Sequence, residues 1–256
     1  MDELLAQVPT ILLVSSRVAG LTTISPVFAN RFIPAPLRVA FTFLLAIILL
    51  PVVSGHVAAD VMTGTGLLAG CVLELLIGLT LGFIGQLVFA AVQMAGALID
   101  LDMGFLNAQI FDPVSGRSEP LTSTFFQALA LTLYLAMNGH HMLIRALAGS
   151  YELIAAGGFG FTAAGPLHVA NLFGAMLSAA IQMVLPFMAV MLLATMAMAG
   201  LTRAVPQLHI FSVGMGAKAV AGLAFVTLLM PYLLAFLERL YDAGNAELLR
   251  TLGLMR

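Results

Sequence analysis

Residues 64–99 read GTGLLAGCVLELLIGLTLGFIGQLVFAAVQMAGALI, an unbroken apolar run whose one charged side chain is Glu74. The run is rich in Leu, Ala and Gly without period-two alternation, which excludes a barrel strand. At well over the roughly 20 residues that cross a bilayer core, it reads as a helix that satisfies its own backbone hydrogen bonds. Gly66, Gly70, Glu74, Gly78, Gly82 and Gln86 fall four positions apart and form one continuous ridge. Glycine ridges let helix backbones approach closely. A carboxyl about 15 Å along such a helix has to face protein or a wet cavity, because an unpaired charge in an apolar helix is costly.

The rest of the chain has the same character. Of its 256 residues, 61% are hydrophobic and 9% charged, with a mean hydropathy of +1.09. A soluble domain carries about 25% charged residues. Six apolar blocks span 4–29, 37–53, 64–99, 121–137, 167–201 and 210–237, treated as one domain over 1–256. The expected class is all-α, with hydrophobic helices of the integral-membrane type. Breaks fall at Asn30–Pro36, Ser54–Thr63, Asp100–Pro120, Asn138–Pro166 and Thr202–His209. The blocks are uneven, since 37–53 and 121–137 are at the lower length limit for a span, while 64–99 and 167–201 are about twice as long. Pro186 near the middle of the latter predicts a kink or a hairpin there. Arginines divide evenly between the two sides of a six-span arrangement, so the positive-inside rule gives no orientation. Met1-Asp2-Glu3 lacks a basic leader, and the first block is expected to be retained structure.

A net charge of −2 shows no basic excess, which excludes nucleic acid as a partner. The single cysteine, Cys71, forbids an internal disulfide and reads as a small buried hydrophobe. Zincin, phosphate-loop, nucleophile-elbow and paired-cysteine motifs are missing, so neither an enzyme nor a cofactor is expected. His140 and His141, adjacent on a helix, would point about 100° apart, and no metal site is expected.

Two further small-residue ridges occur: Gly174, Ser178, Gln182 and Pro186, and then Gly214, Lys218 and Gly222. Glu74 and Lys218 are each expected to meet a partner in a close helix contact, the two with each other as one arrangement; a buried structural carboxyl and a snorkelling lysine are the alternatives. Met183, Met188, Met191, Met196 and Met198 crowd the fifth block, where adaptable packing or a deformable seal would use them. The break from Asp100 to Pro120 carries Phe105, Leu106, Ile110 and Phe111 before turns at Asp112-Pro113 and Ser115-Gly116. So many large apolar groups suit an inward-folded constriction or a loop packed on a neighbour.

Six ordered motifs carry a family likeness. They are Arg17, Gly20, Pro26-Val27-Phe28, Ile33-Pro34 and Arg38; Glu74 with Ile77-Gly78 and Gly82; Ala95-Gly96 to Asp102-Met103-Gly104; Asp112-Pro113; Asn138-Gly139-His140; and Pro206-Gln207-Leu208, Ile210-Phe211 and Gly214, followed by Lys218 and Gly222. In these the chain resembles the FliR-type subunits of the flagellar type III protein-export gate and their counterparts in virulence secretion. Asp102 departs from the family's more frequent glutamine, and Met215-Gly216 from its aromatic-proline pair.

The resemblance implies a non-enzymatic subunit of the bacterial inner membrane and flagellar basal body, built of helical hairpins packed against partner subunits. Those partners would be FliP-type and FliQ-type subunits, with an FlhB-type switch protein nearby, unfolded flagellar proteins as substrates, and lipid around the assembly. In such a subunit the loop's composition suggests passive gating, with Phe105, Leu106, Ile110, Phe111 and nearby methionines closing the channel, while Pro34, Asp112-Pro113 and Pro206 set helix entry angles. A small-molecule or ion transporter is the alternative, weakened because no inverted repeat relates residues 1–128 to 129–256.

Overall fold

The computed structural model describes residues 2–29, 33–53, 64–105, 121–158, 164–204 and 210–254. Among these the chain is helical, with α1 Asp2–Ile24, α2 Ala35–Val53, α3 Gly64–Met103, α4 Leu121–Ala136, α5 Gly139–Leu153, α6 Ala164–Ala204 and α7 Ile210–Leu254. The helices over Ala35–Val53, Thr65–Met103, Leu167–Leu201 and Gly216–Leu254 are long and apolar enough to cross a membrane.

Several features differ from the sequence reading: the first helix ends at Ile24, short of residue 29, and α3 runs through Asp100 to Met103, into the stretch read as a break. The stretch 138–166, read as a break, contains α5. His140, His141, Arg145 and Glu152 interrupt its apolar run, but Leu143, Ala146, Leu147, Ser150 and Tyr151 recur at helical spacing and are buried, so the helix is amphipathic. The last block, ended at Leu237, continues as α7 to Leu254, because Tyr241, Leu248, Thr251 and Leu252 keep one face buried beyond the apolar run. Pro186 lies within the continuous α6, so there is no hairpin at that point.

Two compact units form, one from Met1–Val88, Tyr134–Phe173 and Tyr241–Arg256, the other from Phe89–Leu133 and Gly174–Leu240. In the first, α1 packs on α2, with the Thr22 and Thr42 hydroxyls 3.0 Å apart and Phe28 stacked on Phe41 at 4.8 Å. The glycine ridge of α3 is where α1 crosses. A methyl group added at Gly78 would overlap the Arg17 carbonyl oxygen, one at Gly20 would lie 2.7 Å from the Leu79 nitrogen, and one at Gly82 2.9 Å from the Leu21 oxygen. Leu13, Val14, Val18 and Leu21 of α1 meet this crossing fully buried.

The second unit has its own core, which includes Ile99, Met103, Phe126, Met183, Phe187 and Met191. Phe187 and Phe225 lie 6.1 Å apart, and Gly222 of the third ridge packs on the Met103 side chain. The second ridge behaves differently: Gly174, Ser178 and Gln182 are exposed, and nothing lies within 4 Å of a Cβ added at Gly174. Among the described residues no helix makes a close contact at Gly174. Met188 and Met196 also face outward, unlike Met183 and Met191.

Outward-facing surfaces are apolar. On α2, Leu37, Val39, Phe43, Leu44, Ile47 and Ile48 are all exposed, the opposite of what contact with water selects.

Candidate functional site

The polar heart of the first unit is an ion pair that crosses from α1 to α3. Arg17 is 0% exposed and Glu74 1%. The guanidinium meets the carboxylate side-on, with Nε donating to Oε2 at 2.5 Å and Nη2 to Oε1 at 2.9 Å, the bidentate geometry in which Arg binds carboxylates most strongly. Glycines at 20 and 78 bring the two backbones close enough for these side chains to meet. Glu74 is therefore neutralised by Arg17 and does not need Lys218, which lies half-buried on α7.

The pair is finished by α5 and the chain just beyond it. Arg17 Nη1 donates to Ser150 Oγ at 2.8 Å, and Nη2 also donates to the Ile154 carbonyl at 3.1 Å. Ser150 in turn donates its hydroxyl hydrogen bond to the Leu147 carbonyl at 2.6 Å. The guanidinium carbon sits 4.0 Å from the centre of the Tyr151 ring, a cation–π contact inside the core. Burial pushes the Tyr151 hydroxyl well above its ordinary value, the Arg17 charge pulls it down, and the Glu74 charge raises it. Gly157 donates its backbone N–H to Glu74 Oε1 at 2.9 Å and holds φ at 78°, a left-handed conformation open to glycine. A desolvated charge pair persists when its remaining hydrogen-bonding capacity is met, and here partners come from α5 and the chain just beyond it. The arrangement ties α1, α3 and α5 to one another through a single charge pair.

The second unit has a polar contact of its own. Asp100, near the end of α3, is fully buried and accepts the backbone N–H of Thr122 at 3.0 Å to each carboxylate oxygen and that of Ser123 at 3.1 Å. Sequence reasoning treated it as one acid of a loop. It is instead a cap supplied by one helix to the first turn of another.

The other expected site residues are dispersed. Asn138 joins α4 to α5 at φ 57°, and Gly139 is buried against the Tyr134 ring, whose hydroxyl donates to the Gly139 carbonyl at 2.8 Å. The rings of His140 and His141 lie 4.2 Å apart, and among the described residues no three His, Cys, Asp or Glu side chains are grouped to hold a metal. Pro26 and Arg38 are half-buried, Pro34 is exposed ahead of α2, Gly214 is half-buried, and Phe211 falls in the first turn of α7. Phe105 is half-buried beyond Gly104, while Leu106, Ile110, Phe111, Asp112, Pro113, Pro206 and Gln207 lie outside the described residues.

Ser150, Tyr151, Gly157 and the partnership of Arg17 with Glu74 were missed. The available signal is that Arg17 and Glu74 are lone opposite charges, each deep in an apolar run and each within four residues of a glycine.

Long apolar helices, close glycine crossings and a charge pair buried for structural ends define an all-α protein of the membrane-helix class. The sequence profile of bacterial export proteins, family 1, matches residues 8–244, and the chain belongs to that family. Among its relatives are proteins named flagellar biosynthetic protein FliR. That of Bacillus subtilis (strain 168) is 31% identical over 246 residues, covering 94% of each chain. That of Escherichia coli (strain K12) is 31% identical over 234 residues, covering 88% of this chain and 86% of the relative, and that of Caulobacter vibrioides is 30% identical over 227.

Proposed function

We propose that this chain is a structural and gating subunit of the flagellar type III export apparatus, residues 1–256 serving as one helical export-gate domain. The observation that carries the reading is similarity along 94% of both chains to a relative named for flagellar biosynthesis. Export of an unfolded polypeptide requires a channel and a seal, and neither requires catalytic side chains. The membrane-capable helices and their apolar outer faces support a place in the bacterial inner membrane, at the flagellar basal body. FliP-type and FliQ-type subunits would cover part of those faces and lipid the rest, with an FlhB-type switch protein adjacent. Unfolded flagellar proteins are the proposed cargo.

Phe105, Leu106, Ile110 and Phe111 form the proposed plug, displaced by a passing substrate segment. Glycine at 105, 110 and 111 together should raise ion leak across membranes that contain the assembled apparatus. Unchanged leak with normal assembly removes the plug from the mechanism. The wider reading is tested by deleting the gene in its own host: loss of filaments and of flagellar protein secretion is expected. Normal swimming and secretion would overturn the proposal.

A further inference from the structure

The last turns of α7 belong to the first unit, where they are docked from several sides. Tyr241 lies 5.3 Å from the Tyr134 ring, a methyl group added at Gly244 would lie 2.7 Å from Val88 Cγ2, and Asn245 Nδ2 donates to Met142 Sδ at 3.2 Å. Leu248, Thr251 and Leu252 follow, all buried. These contacts carry no charge. Between them, His168 near the start of α6 holds its Nε2 3.0 Å from Glu247 Oε2, the side chains being 15% and 32% exposed. Both of these atoms are nevertheless shielded from solvent, and neither is placed for a hydrogen bond.

That geometry decides the kind of attraction. Off the hydrogen-bonding axis a neutral imidazole gains little from a carboxylate, because hydrogen bonds weaken steeply with angle. An imidazolium is drawn to it by charge alone, and more strongly where water is excluded. Histidine ordinarily changes charge between about pH 5 and 8. Without the proton, Glu247 Oε2 is a shielded carboxylate oxygen with no partner, which is costly. Its other oxygen keeps Arg250 Nη1 at 3.5 Å, a weak contact since that arginine is 68% exposed. The neighbours that α3, α4 and α5 bring to this segment are Val88, Tyr134 and Met142; the Tyr134 hydroxyl is engaged with Gly139, and His141 beside Met142 lies 3.3 Å from Asn138 Oδ1. We propose that His168 and Glu247 form a proton-operated tie, which holds the end of α7 against the start of α6 when the ring is charged and loosens it when the ring is neutral. The tie is present on the acid side and is lost as pH rises through the range in which histidine titrates. It does not rest on the export reading.

The test uses the full chain in membranes of its own host, with a thiol near the end of α7 as reporter: Thr251→Cys, at a fully buried position, in a Cys71→Ala background. Its labelling by N-ethylmaleimide is compared at one pH between chains with and without a further substitution, so that the reactivity of the thiol and titration elsewhere, His141 included, cancel. His168→Gln should label about fivefold faster than the parent at about pH 5.5, the upper range for a partly exposed pair, and at the parent's rate at about pH 8. Glu247→Gln should give the same pattern, and it decides alone should His168→Gln fail to accumulate. The double variant should label as either single one does, because the tie is lost only once. A ratio to the parent that is the same at both pH values, whether raised by lost packing or equal to one, overturns the proposal. Multiplying effects in the double variant would overturn it too, since the two residues would then act separately.

Discussion

Replacing Glu74 by glutamine would remove the countercharge of Arg17 with almost no change of shape. The guanidinium would keep the Ser150 hydroxyl, the Ile154 carbonyl and the face of Tyr151, but an amide N–H would now confront one of its donors or that of Gly157. Two charge-assisted hydrogen bonds are at stake, each contributing about 1.5–3 kcal/mol. Breaking a buried pair from one side generally costs about 3–5 kcal/mol, so both routes give the same size of effect. Against a folded-state margin of about 5–15 kcal/mol this is a large fraction. Arg17→Met should cost a similar amount by stranding the carboxylate. The double variant should be destabilised by less than the sum of the two, because neither charge is then left alone. The chain has no tryptophan and one cysteine, so labelling of the Cys71 thiol in detergent against denaturant is a natural assay, three residues from Glu74 on α3. A shift for Glu74→Gln under about 1 kcal/mol, the size of an exposed pair, would refute the reasoning, as would strict additivity in the double variant.

Two more outcomes follow from backbone contacts. Gly78→Ala sets a methyl group on the Arg17 carbonyl and should destabilise by at least about 1–3 kcal/mol, while Gly174→Ala, in open space, should be neutral or stabilising by up to about 1 kcal/mol in the purified chain. Equal effects in the same labelling assay would remove the distinction between the two ridges. Asn138 holds a left-handed φ of 57°, so Asn138→Gly should be tolerated and Asn138→Val should cost about 1–2 kcal/mol, read as a lowered unfolding midpoint for valine alone.

What could be read from sequence was what repeats at short range. The ridge from Gly66 to Gln86 gave away the α1–α3 crossing on the α3 side because spacing of four and the absence of side chains are local properties. Helix α5 is hidden for the opposite reason: buried on one face, it carries charges on the other and so presents no continuous apolar run. The partner of Glu74 also escaped, since 57 residues separate it from Arg17 and the local sequence says only that each charge needs an opposite. A partner for Glu74 in a close helix contact is expected from the sequence; of the arrangements open to it, the structure shows the one with Arg17 and not the one with Lys218. Asp100 looked like a loop acid because it stands beside Asp102 and a run of turn formers. Its burial depends on Gly96 admitting the first turn of α4.

The order of the three elements around Glu74 has a bearing on how the protein is made. Arg17 emerges from the ribosome first, Glu74 follows 57 residues later, and Gly157 comes 83 residues after that. At about 5–20 residues per second, α1 waits roughly 3–11 s for α3, and the pair then waits roughly 4–17 s for α5. An isolated Glu74 or Arg17 at mid-helix adds about 2.5–3.5 kcal/mol to the insertion of its segment. The nascent chain therefore gains by pairing the first two helices as soon as both exist, and α5 then docks onto a charge already neutralised. Biogenesis should stall when Arg17 is absent at the moment α3 arrives, and much less when Ser150 is absent later, so a mutation's position in the order of synthesis decides whether it blocks insertion or only loosens the finished protein.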